Sequence, residues 1–99
     1  MQKNDEDFKK LVFDLMNGSL NLEQYPVEES KYVKNEFFLG GFCDEAYRRV
    51  YNANRRLCKK LGVEEDRDVE SIITDLIDIG EYLAMKMYDY GKFFSAFSI

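Results

Sequence analysis

Asp75, Asp78 and Glu81 recur at three-residue steps, and Asp44-Glu45 lie earlier in the chain. Carboxylates on two facing helices can hold magnesium against a phosphate substrate, because a hard cation takes oxygen ligands and polarises the phosphoryl group. The helical wheel argues against that use. At about 100° per residue, Asp78 and Glu81 point away from the apolar face of their own segment, which suits a solvated acidic face. A second set of chemistry-bearing residues is basic. Arg48-Arg49 and Arg55-Arg56-x-x-Lys60 interleave with Tyr47 and Tyr51, a pattern that suits phosphate contacts. The chain is acidic overall, with net charge -5 and pI about 4.7. Nucleic acid is therefore the lesser expectation for Arg48, Arg49, Arg55 and Arg56.

The absence of histidine removes the usual general base, the commonest metal ligand and the near-neutral pH switch. Zinc sites of mixed Cys/His type are excluded, and Cys43 and Cys58 alone do not make a four-cysteine site. No catalytic residue, metal site or cofactor is expected. The two cysteines sit too far apart along one helical segment to bridge each other within it, and they read as buried, reduced thiols of a cytoplasmic protein. The N-terminal run MQKNDEDFKK lacks a signal-peptide pattern. No stretch approaches about 20 uncharged apolar residues, so no membrane contact is expected.

The elements that must position these residues are helices. The chain has 99 residues, 45% hydrophobic and 15% aromatic, with one proline, which excludes a disordered chain and favours one all-α domain, 1–99. Residues 69 to 97 carry an unbroken apolar stripe at 3- and 4-residue steps. Val69, Ile72, Ile73, Leu76, Ile79, Gly80, Leu83, Ala84, Met87, Tyr90, Gly91, Phe94 and Phe97 stay within roughly 140° of one face. Such a helix spans roughly 43 Å, whereas a compact domain of this size is about 35 Å across. A helix that outruns its own globule leans on something else.

The spacing predicts three helices, roughly 5–17, 28–61 and 66–97, with Gly18 and Gly62 as stops and Asp66 or Asp68 capping the third. Leu20, Leu22 and Tyr25 are expected to tuck against the bundle. Gly40-Gly41 is the weak point of the second helix, since two glycines cost about 2 kcal/mol in a helix interior; a continuous but bent helix is expected. The short link after Gly62 makes helices two and three an antiparallel hairpin. Residues 31–62 carry an excess of Lys and Arg and residues 63–99 an excess of Asp and Glu, which favours that pairing. The expected shared core is Phe8, Val12, Leu15, Val50, Leu57, Leu61, Ile72, Ile73, Leu76, Leu83 and Met87. Glu36 and Asn54 fall within the apolar arc of helix two, where a buried Asn can fix the register of a helix pair.

The aromatic surplus points outward. Phe37, Phe38, Tyr82, Met85, Tyr88 and Phe93 fall outside the main stripes and are interface candidates, because so much large apolar surface on a small domain implies a second buried face. A symmetric homodimer is its simplest burial, and the alternative is cover by helix one and the segment 19–26.

At LVFDLMNG (Leu11 to Gly18), Glu23, Pro26 and Tyr88-x-x-Gly91, the chain resembles small uncharacterised bacterial helical proteins classed as domains of unknown function. The resemblance implies an all-α fold and carries no catalytic residues. The expectation is therefore a three-helix bundle built on a long antiparallel hairpin and completed by dimerisation. Its expected role is a non-enzymatic protein-interaction or assembly module of the bacterial cytosol. The alternatives are a nucleic-acid-associated helical protein and a magnesium-dependent enzyme similar to the all-α nucleotide pyrophosphohydrolases. Those enzymes carry Glu-Glu-x-x-Glu on one helix and Glu-x-x-Asp on the next, and neither Glu28-Glu29 nor Glu64-Glu65 continues into that run.

Overall fold

The protein is seen in a computed structural model that describes residues 5–24 and 26–97. Three helices account for its regular structure: α1 (Asp5–Asn17), α2 (Phe42–Leu61) and α3 (Arg67–Ser95), with a single 3₁₀ turn at Glu28–Lys31. There is no strand among the described residues, so the chain is all-α. Asp5, Glu6 and Asp7 open α1, where negative charge complements the helix dipole. Leu20 is half-buried and Leu22 is exposed; the expectation for Tyr25 lies outside the described residues.

The second helix is shorter than its sequence pattern predicts. After the turn at Glu28–Lys31, residues 32–41 are irregular, and α2 begins directly after the glycine pair. Gly40 has φ +80°, a left-handed conformation that ends a right-handed helix and strains any residue with a Cβ. Its N–H donates to Asp44 Oδ2 at 3.0 Å, so the side chain of Asp44 closes the loop onto the first turn of α2. Gly41 is buried beneath the ring of Phe38, where a Cβ would come within 2.6 Å of the ring. Between the 3₁₀ turn and α2, the Glu36 N–H donates to the Met16 carbonyl at 2.7 Å, fastening the loop to the end of α1. Glu36 therefore leaves the helix-two face altogether, and Tyr32 and Leu39 stand exposed.

The hairpin turn follows the expected chemistry. Gly62, at φ +74°, donates to the Lys59 carbonyl at 3.2 Å, and Val63 N–H donates to the Cys58 carbonyl at 3.0 Å. This pair of bonds satisfies the last carbonyls of α2. Asp66 then caps α3 by accepting from Val69 N–H at 3.0 Å, and the 29 residues of α3 run roughly 43 Å.

α1 and α2 share α3 along its length. The polar and ring contacts of α1 with α3 fall between Glu81 and Lys92. α2 faces the other half, from Val69 to Ile77. The molecule measures 56 × 32 × 24 Å with a radius of gyration of 17.2 Å, where a compact chain of this length has about 13 Å.

This layout corrects the expected core. Leu15 and Cys58 are buried, and Phe8, Val12 and Ile73 are half-buried. Val50, Leu57, Leu61, Ile72, Leu76, Leu83 and Met87 are exposed. Part of the reason is that α2 stands apart from α3, so that Val50, Leu57, Ile72 and Leu76 line an open groove, and the rest is rotational. α1 docks about 80° around α3 from the line that α2 follows, on the side carrying Glu81, Met85, Tyr88 and Lys92. The C-terminal half of the main stripe is left uncovered.

Candidate functional site

The uncovered face of α3 is the most organised surface of the molecule. Ile72, Leu76, Ile79, Leu83, Met87, Tyr90 and Phe94 follow steps of four and three residues, and each is 55–74% exposed. On a helix that spacing keeps them within about 80° of one another. Beside the N-terminal half of this stripe, α2 and α3 stand apart. An open groove of 290 Å³ runs between them, lined by Val50, Ala53, Asn54, Leu57, Val69, Ile72, Ile73 and Leu76. Asn54 is its one polar member. Its Nδ2 donates to Glu70 Oε1 at 3.4 Å across the hairpin, and its Oδ1 accepts from the buried Cys58 thiol at 3.3 Å. Asn54 thus links the two helices at the level the sequence marks for register.

The chain exposes 8475 Å². A compact monomer of its mass, 11.7 kDa, exposes about 5,900 Å², so roughly 2,600 Å² is in excess. Large contiguous apolar patches on a soluble protein mark contact surfaces.

The six aromatic and methionine candidates divide. Met85 and Tyr88 are half-buried on the side of α3 that receives α1, with the Phe8 and Tyr88 rings 6.4 Å apart and tilted by 55°. Phe37 meets Tyr47 edge-on at 6.4 Å. Phe38 lies under the Lys34 ammonium at 4.0 Å, against Gly41. Phe37 and Phe38 keep an exposed side, and Tyr82 and Phe93 stand further out, Tyr82 beside Lys86 and Phe93 edge-on to Phe94 and Phe97 with ring centroids at 5.2 and 4.8 Å. Leu83 and Met87, which the stripe assigns to the core, belong instead to the outward face. The signal was present in the width of the arc. About 140° of apolar surface, with aromatics beyond it, is wider than a single docked helix covers.

Four cations make ion pairs that tie the fold. Lys9 is buried and reaches Asp89 at 2.9 Å and Glu6 at 3.0 Å. Asp89 foremost, then Glu6, holds its ammonium above the ordinary lysine value. Lys10 pairs with Asp14 at 2.9 Å and Glu81 at 3.5 Å, and Asp14 is the main cause of its raised pKa. Lys92 pairs with Asp5, which raises its pKa in turn. The Asp44 carboxyl is held below its ordinary value by the Gly40 N–H and, secondarily, by Arg48 at 3.2 Å.

The carboxylates of the magnesium hypothesis are not brought together. Asp44 caps α2, Glu81 turns to Lys10, Asp75 and Asp78 are exposed, and no three acidic, cysteine or histidine side chains cluster among the described residues. Arg48, Arg49, Arg55 and Arg56 share the outer, exposed face of α2, about opposite the groove. Of the four, Arg48 borders a shallow depression with Tyr47, Tyr51 and Asn52, all from one helix. No helix among the described residues is long and apolar enough to cross a membrane.

No protein-family model matches the chain, and neither a curated protein nor a solved structure matches it.

Proposed function

We propose that the chain is a non-enzymatic helical interaction or assembly module of the bacterial cytosol, and that its working part is the outward face of α3 with the adjoining α2–α3 groove. One observation carries this reading. An apolar stripe runs nearly the whole length of a helix of 29 residues, and the chain's other two helices leave it open to solvent. A helix face of this kind is read by another helix through anchors at i, i+4 and i+7. The charged side chains contribute to the helix seams rather than to a cleft, which favours binding over catalysis.

The test is affinity purification with the native chain and with Leu83→Asp as baits, after circular dichroism has shown that both are equally helical. Leu83 is exposed, so the carboxylate leaves the fold intact and places a charge in the middle of the face. Specific partners, including a differently tagged copy of the chain, are retained by the native bait and lost with Leu83→Asp. An unchanged set of partners would refute the reading. Partners that are lost instead with Arg48→Ala and Arg55→Ala, in a salt-sensitive manner, would favour nucleic acid.

A further inference from the structure

Resting on that reading, we infer that the occupant of this face is a second copy of the chain, its α3 lying antiparallel against the first about a two-fold axis near the middle of the helix. Three observations converge on that occupant. The first is area. A specific dimer buries about 800 Å² from each partner, and the excess surface of this chain, roughly 2,600 Å², is ample for it. The stripe alone extends from Ile72 to Phe94, so two copies overlap along most of α3.

The second observation is charge. Asp75 and Lys86 are separated by three helical turns, so they lie within about 20° of one another, on the same flank of the stripe. They stand on either side of Glu81, the midpoint of Arg67–Ser95. Two-fold antiparallel pairing about that midpoint brings Lys86 of each copy beside Asp75 of the other, twice per dimer. Within one chain the two residues are roughly 16 Å apart along the axis, and neither makes an ion pair among the described residues.

The third is shape. The opposite flank of the stripe, from the middle of α3 onward, carries Gly80, Ala84 and Gly91. A Cβ added at either glycine meets no atom within 4 Å, so nothing inside the chain calls for a small residue there. In the same two-fold arrangement this flank faces the partner's α2, and Met87, Tyr90 and Phe94 enter the partner's open α2–α3 groove. Two hairpins then close into a four-helix core, α2 and α3 from each copy, with α1 outside.

The experiment is a charge swap, followed by light scattering over a micromolar dilution series. Wild type is expected to be a dimer. Lys86→Glu or Asp75→Lys alone places like charges together and weakens the dimer about tenfold, while the double variant returns within about threefold of wild type. The two positions are too far apart to compensate within one chain, so rescue reports contact between copies. A monomeric wild type overturns the inference, and so does a dimer that the single changes leave untouched or the double change fails to rescue. Leu83→Asp separates the two readings. A monomer that loses other partners through Leu83→Asp leaves the interaction module standing. A dimer indifferent to Leu83→Asp refutes the inference, and the interaction module falls with it when the other partners are unchanged as well.

Discussion

Between α1 and α3 the contact is rimmed by charge: Lys9 reaches Asp89, Lys10 reaches Glu81 and Lys92 reaches Asp5, around the tilted Phe8–Tyr88 pair. Between α2 and α3 one amide–carboxylate bridge, Asn54 to Glu70, spans an otherwise apolar groove. The first seam pairs its charges within the chain. The second leaves Val50, Leu57, Ile72 and Leu76 exposed. Ion pairs are directional and hold two helices in one register with little area, whereas apolar surface stabilises only when something covers it. A seam closed by charge belongs to the single chain. A seam left apolar and open calls for a further layer.

The largest test of this contrast is a pair of truncations. Leu15 is 4% exposed and Leu83 is 59% exposed. Leu15→Ala should cost about 2–5 kcal/mol of unfolding free energy. Leu83→Ala should cost less than about 1 kcal/mol in a dilute chain and act on association instead. Denaturant titrations below and above the association midpoint check this, and an equal loss for both variants at low concentration would break the contrast. A smaller effect probes the hairpin. Asp66→Ala removes the cap of α3 and should cost about 1 kcal/mol, read as a shift in urea midpoint at constant slope.

The smallest effect is the pH response. The Asp44 carboxyl lies below its ordinary value, so its contribution is present above that ordinary value and is lost as pH falls through the folded one. Lys9, Lys10 and Lys92 lie above theirs, so their contribution is present below the ordinary lysine value and is lost as pH rises through the folded ones. With no histidine in the chain, the melting temperature should be flat from about pH 5 to 9 and fall below about pH 4. A step near neutrality would contradict this assignment.

The sequence pattern was strongest where local chemistry decides. α1 has the expected bounds, the caps at Gly18, Gly62 and Asp66 are in place, and α3 ends within two residues of the expected limit. Local chemistry also explains the failure at residues 28–41, where the left-handed Gly40 outweighs an apolar period that reads well across it. Periodicity shows which residues share a face but not what lies against it. Leu83 and Met87 follow the same stripe as Ile73, yet Ile73 is half-buried and they are exposed. The contact that sets the position of α1, Lys9 with Asp89, joins residues 80 apart in the chain, and no short spacing announces it.

Cys58, wholly enclosed near the C-terminal end of α2 and donating to Asn54, gives the protein an internal clock. A thiolate reacts with an alkylating reagent only when the reagent can reach it, so Cys58 is modified only when the structure around it opens. Cys43 is only half-buried and serves as a reference thiol in the same molecule. The ratio of the two labelling rates reads local opening around Cys58 with the native thiols alone, and because Cys58 donates to Asn54, which lines the groove, an occupant that holds Asn54 in place should slow the Cys58 rate and spare that of Cys43.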